Sequence, residues 1–296
     1  MLTGLSAFPL TPVTTAGVDE DAFVGIIERL VAARVDSIGV LGSTGSHAYL
    51  APHERDRVIE LAVAHAGRVP VIAGVGSPAT RQVIAQVRAA TDLGAAAVLV
   101  PPRTYQPLTD DEVFGLYADV TEVASVPVVV YDNPGTTHVT FSDDLHARIA
   151  ALDGIASIKI PPVETDPAAA RERVARLRAL LPEHVTLGIS GDAVGATGLI
   201  AGCDTWYSVL AGTIPAPFVA ITRAARDGDS ARARELSDQL APLWQVMAGI
   251  GSYRTAAVIA EHLGLAQAPC LPQPLRPLPE PTRAAVIEAL AASGVL

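Results

Sequence analysis

Lysine is almost missing from this 296-residue chain. Of its 21 basic residues 20 are arginine, and the single lysine, Lys159, lies inside the apolar hexapeptide "IASIKI" (155–160). Positive charge is scarce altogether: 21 basic residues stand against 31 acidic ones, for a formal charge of −10. That balance excludes a role on nucleic acid or on an anionic membrane surface, both of which demand a basic face. The first basic residue is Arg29, so the start of the chain lacks the charged segment of a secretion signal. No apolar run approaches the roughly 20 residues that span a bilayer, and a cytoplasmic protein is expected. Cysteine is scarce too. Cys203 and Cys270 match no metal or redox spacing, and two free thiols are expected.

What the chain does have, 50% hydrophobic and 18% charged residues, suffices for one large domain, alone or with an appendage. Eight short runs rich in β-branched residues recur: "GLSAF" (4–8), "SIGVLG" (37–42), "PVIAGV" (70–75), "AAVLVP" (96–101), "PVVVYD" (127–132), "IASIKI" (155–160), "VTLGIS" (185–190) and "TWYSVL" (205–210). Between them lie amphipathic stretches such as "TRQVIAQVRAATDLG", whose last glycine suits a helix C-terminus. Eight mostly apolar strands alternating with helices predict an α/β fold, a parallel (β/α)8 barrel, over residues 1–212. An open doubly wound sheet is the runner-up, but no G-x-G-x-x-G follows the first run. Residues 213–296 are expected to supply a closing helix and a C-terminal helical extension. By eye three helical stretches follow the eighth run, with the proline-rich "PCLPQPLRPLPEP" (269–281) before the last, and an oligomer contact is expected there.

In such a barrel the site lies at the C-terminal ends of the strands. Alternation places Ser157 and Lys159 on one face of the sixth run and Ala156, Ile158 and Ile160 on the other, so Lys159 is expected to face the barrel mouth. An amine in a partly dry barrel is disfavoured as its ammonium and becomes a nucleophile able to form a Schiff base. Arginine cannot do this, because it does not deprotonate in proteins. The alternative is a lysine that pairs with a carboxylate or snorkels outward. Tyr131, ending the fifth run, is placed to shuttle protons, or else is a core aromatic with a satisfied hydroxyl. After the second run "GSTGS" (42–46) offers glycines, backbone N–H groups and the hydroxyls of Ser43 and Thr44 to a carboxylate. Gly191, in "GISGDA" after the seventh run, is expected beside a substrate, although Asp192 there could simply cap the next helix.

Taken in order, "FPLTPVTTAGVDEDAF" (8–23), "GSTGS", "PVIAGVG" (70–76), "YDNPGTT" (131–137), "SIKIPP" (157–162), "SGDA" (190–193) and "EHLGL" (261–265) resemble the dihydrodipicolinate synthase and N-acetylneuraminate lyase family across nearly the whole chain. The resemblance implies that Lys159 is a Schiff-base lysine and Tyr131 its proton-transferring tyrosine. It also implies that Ser43 and Thr44 hold the carboxylate of a 2-oxo acid through their backbone N–H groups, and that the main chain of Tyr207 lines the site. Three positions depart from the lysine-pathway synthases. Thr136 stands where they carry an arginine for a second carboxylate, which argues against aspartate semialdehyde. Thr104 matches their inter-subunit tyrosine, with Tyr105 one residue later. Ser46 replaces an acidic residue and is followed by His47.

His47 and His138 are expected at the site end, reading hydroxyls of a sugar-acid chain or else simply solvated. No catalytic metal and no cofactor is expected, since no H-x-H follows the first run and no His/Asp/Glu set has ligand spacing. The leading expectation is a Schiff-base lyase or aldolase acting on pyruvate or a 2-keto-3-deoxy sugar acid, assembled as a homodimer or homotetramer. A dehydratase with the same lysine, a true dihydrodipicolinate synthase and a non-catalytic small-acid-binding barrel are the alternatives.

Overall fold

A computed structural model describes residues 2–295; Met1 and Leu296, the outer ends of the two expected segments, lie outside them. Eight parallel strands close into a barrel: β1 (Gly4–Ala7), β4 (Ser37–Val40), β5 (Val71–Gly74), β6 (Ala97–Val100), β7 (Val128–Tyr131), β8 (Ile155–Ile160), β9 (Thr186–Ser190) and β10 (Thr205–Ser208). Each lies within its expected run, mostly a residue or two shorter. Two very short strands, β2 (Val13–Thr14) and β3 (Gly17–Val18), add an antiparallel hairpin after β1. Two-residue strands are too short to show any alternation, which is why sequence periodicity misses them.

The strands are mostly apolar because both faces are covered. Ile158 and Ile160 pack outward in the layer between strands and helices. The opposite face fills the barrel with Phe8, Ile72, Ala97, Leu99, Val129, Tyr131 and Tyr207. Helix starts follow the local chemistry. Asp19, Thr109, Ser142 and Asp166 each accept a backbone N–H at the first turn of the helix that follows.

After β10 come five helices rather than the three read from sequence: Pro215–Arg226, Ser230–Gln239, Ala241–Ile250, Ser252–His262 and Glu280–Ala292. The stretch from 215 to 262 is broken at three points. Asp229 caps a new start, Pro242 stands in the first turn of the next helix, and Gly251 adopts a φ of +82°. The proline-rich stretch separates the last two helices, as expected. Cys203 and Cys270 are buried free thiols. Among the described residues no helix is long and apolar enough to cross a membrane.

Candidate active site

Lys159 and Tyr131 are direct partners in the β7–β8 register, so the barrel sets them side by side near the C-terminal ends of these strands. Lys159 is 6% exposed, and its Nζ lies 4.3 Å from the centroid of the Tyr131 ring. No carboxylate lies within 4.0 Å of it among the described residues. Neither an ion pair within that distance nor outward snorkelling accounts for its burial.

The Tyr131 hydroxyl donates to Ser43 Oγ at 3.4 Å and accepts from Asn133 Nδ2 at 3.1 Å. Burial alone would raise the phenol. The nearby Lys159 charge, with the hydrogen bonds to Ser43 and Asn133 and the nearness of Thr136, outweighs it and holds Tyr131 below the ordinary tyrosine value. Beneath the pair, Tyr207 shares a 2.7 Å hydrogen bond with Ser157 and meets Phe8 edge-on at 5.8 Å. Burial pushes the Tyr207 phenol up, so it serves as a fixed floor.

The turn after β4 brings Ser43 and Thr44 over this floor. Its backbone is shaped by a positive φ at Leu41 and again at Ser46, of 58° and 62°. It rests directly on β5: a Cβ on Gly74 would stand 2.1 Å from the Leu41 carbonyl oxygen, so only glycine fits there. Thr11 Oγ1 donates to the Gly45 carbonyl at 2.9 Å, and Ser46 Oγ meets Tyr253 Oη at 2.5 Å. Ser46 thus ties the turn to the helix Ser252–His262.

Lys159, Tyr131, Ser43, Thr44, Thr136, Gly191 and Tyr207 share one inner cavity of about 460 Å³. It opens into an outer cavity of about 850 Å³ through shared walls at Ser43, Thr44, Tyr131, Thr136 and Ser252, and His138 lines the outer part. Two expected residues stand elsewhere. His47 lines neither of these cavities. It is buried against Gln86, 3.0 Å from its Nε2, in an adjoining cavity of about 600 Å³. Burial, then Arg103 and Arg55, hold its imidazole down to about 3, so it is neutral over the ordinary pH range. Tyr105 is 91% exposed and lines none of these three cavities.

Asp192 does not cap the helix after β9. Its carboxylate is buried and reaches across to the segment after β10, accepting from the backbone N–H groups of Val209 at 3.2 Å and Leu210 at 2.7 Å. Burial raises its carboxyl, opposed by Leu210, Ser208, Val209 and Lys159. The helical extension contributes more than sequence reasoning assigned to it. Trp244, Met247 and Ser252 line the inner cavity, and Tyr253 and Arg254 the outer one. A helix-period pattern does not say which end of a barrel a late helix covers, so no local signal could have named these residues. Among the described residues no three His, Cys, Asp or Glu side chains gather as a metal site would require.

A model of the dihydrodipicolinate synthetase family matches residues 1–293 of this chain. The 4-hydroxy-tetrahydrodipicolinate synthase of Phenylobacterium zucineum is 33% identical over 301 aligned positions, covering 100% of this chain and 99% of that protein. The crystal structure of a dihydrodipicolinate synthase from Agrobacterium tumefaciens superposes with a TM-score of 0.94 at 41% identity, over 98% of each chain. The chloride-inhibited dihydrodipicolinate synthase of Acinetobacter baumannii, solved in complex with pyruvate, gives a TM-score of 0.90 at 27% identity over the whole of both chains.

Proposed function

The chain belongs to the dihydrodipicolinate synthetase family of Schiff-base lyases and aldolases and is an enzyme of that class, and from this premise we propose that it acts on a 2-oxo acid, pyruvate or a 2-keto-3-deoxy sugar acid, through an imine on Lys159. The observation that carries the reading is the unpaired burial of Lys159 beside the Tyr131 ring.

In this mechanism the Lys159 amine attacks the keto carbon and Tyr131 supplies the proton that turns the carbonyl oxygen into a hydroxyl. Loss of that hydroxyl as water leaves a protonated imine. The iminium draws electrons from the adjacent carbon, so a bond there can break, form or lose hydroxide. Tyr131, held by Ser43 and Asn133, gives and takes the protons at each stage. The backbone N–H groups of Ser43 and Thr44 receive the carboxylate next to the reacting carbonyl. No cofactor is needed, because the lysine itself provides the electron sink. A homodimer or homotetramer and a cytoplasmic setting complete the proposal.

A second reading, a true dihydrodipicolinate synthase, is favoured by the names of the relatives in Phenylobacterium zucineum and Agrobacterium tumefaciens. Thr136, where lysine-pathway synthases carry an arginine, argues against it. Dehydration of a 2-keto-3-deoxy sugar acid would use the same lysine and tyrosine. The test is intact mass spectrometry after incubation with pyruvate and borohydride. A reduced pyruvyl adduct is expected on the wild type and none on Lys159→Arg, which should fold normally and lose turnover. Full activity in Lys159→Arg would sink the covalent mechanism.

A further inference from the structure

In a protein of formal charge −10, the outer catalytic cavity is lined by no aspartate and no glutamate. It is lined by two arginines: Arg103, from the segment that follows β6, and Arg254, at the third position of the helix Ser252–His262. Neither guanidinium has a carboxylate within 4.0 Å or donates a hydrogen bond among the described residues. Some arginines of this chain are paired, Arg57 with Glu20 and Glu60, Arg148 with Asp111, and Arg223 with Asp36, and others, such as Arg55, are not; what sets Arg103 and Arg254 apart is that they face the outer cavity together.

Arg103 is seated rather than swinging in solvent. A Cβ on Gly76 would stand 3.0 Å from its Nε and 3.2 Å from its Cδ, so the side chain lies flat across that glycine. Burial lowers Arg103 below the ordinary arginine value and Arg55 adds to this, while the closeness of Tyr131 and Tyr49 works the other way. A desolvated cation with no counter-charge of its own is a cost that an arriving anion relieves. A guanidinium suits a carboxylate best, since its fork matches both oxygens.

We propose that Arg103 and Arg254 hold a second carboxylate, distinct from the one beside the reacting carbonyl, so that the substrate set of this enzyme carries two acidic groups. The inference rests on the Schiff-base reading for the place of the reacting carbon, but the binding of the second carboxylate does not depend on covalent chemistry. It also reopens acidic partners that Thr136 had argued against, because the guanidinium missing at that position is supplied from two others. The second carboxylate belongs either to the 2-oxo acid itself or to an aldehyde that condenses with it.

The first measurement is calorimetric binding of glutarate and of pentanoate, which match in length and cannot form an imine. Glutarate should bind at least about tenfold tighter, the order one charge-assisted hydrogen-bonded pair supplies. Arg103→Gln and Arg254→Gln should each reduce that preference, and Arg103→Lys should keep part of it. Equal affinity for the two acids, no binding of either, or a preference unchanged in both glutamine variants would overturn the proposal. Two further arms locate the group. In the first, 2-oxoglutarate competes against 2-oxopentanoate for borohydride trapping, and in the second, succinic semialdehyde against butanal is consumed by the pyruvate-loaded enzyme. A preference for the acidic member in the first arm places the second carboxylate on the 2-oxo acid, and in the second arm on the aldehyde; preference in neither overturns the assignment to substrate. If neither pyruvate nor the larger 2-oxo acids give an adduct, the Schiff-base reading falls, while the calorimetric result decides the two arginines separately.

Discussion

The environment of Tyr131 makes the phenol easier to ionise than a free one, and this has a measurable consequence. Its proton must be present for the carbonyl to be protonated, so kcat should decline on the alkaline side at a pH below the ordinary tyrosine value near 10. Tyr131→Phe keeps the ring over Lys159 and removes only the proton carrier. We expect it to lower kcat by about 10²- to 10⁴-fold with little change in KM, and to abolish the alkaline limb. Steady-state kinetics across pH would check both, and an unaltered limb in Tyr131→Phe would assign it to another group. Lys159 and Tyr131 were legible in the sequence because each breaks a local rule: a charge inside an apolar strand, and an aromatic hydroxyl where a strand ends. His47 breaks no rule that distinguishes the catalytic cavity from its neighbour. Its position after the turn is readable, but the direction of its ring is decided by Gln86, thirty-nine residues away.

At the level of elements, the turn that presents Ser43 and Thr44 depends on a strand it does not belong to. Gly74→Ala would drive a methyl group into the Leu41 carbonyl, a backbone atom that cannot swing aside. The expected cost is about 1–3 kcal/mol in stability, together with a raised KM for the 2-oxo acid as the turn shifts. Urea denaturation and kinetics on the same sample would measure both, and an unchanged KM would mean that the turn does not position the carboxylate. Strands and early helices were readable because an interior strand covered on both faces must be apolar and a surface helix must be amphipathic. The late helices were under-counted because their breaks are made by a cap, a proline in a first turn and a glycine, which interrupt a pattern without ending it. The cap offered as an alternative for Asp192 fails for a related reason. A carboxylate before a helix looks like a cap until the fold brings two other N–H groups closer.

For the whole molecule, His47 sets a term in acid stability. In the folded chain it is held near 3, against 6.5 when unfolded. Between these values the unfolded chain takes up a proton that the folded chain refuses, so stability falls as pH drops below about 6.5 and nothing is lost above it. Between about pH 7.5 and 5 this group should remove about 2 kcal/mol. The variant His47→Gln, which cannot titrate, should lose that much less over the same interval, as judged by urea midpoints at each pH. An equal loss in both proteins would show that the acid sensitivity comes from other groups.

The scarcity of lysine reaches beyond catalysis. Acylating, carbamylating and cross-linking reagents that seek ε-amines find one such group in the whole sequence, and the fold buries it at the base of the catalytic cavity. No acetyl mark on a surface lysine can tune this enzyme, and any lysine-directed modifier that reaches its target must enter where the substrate does.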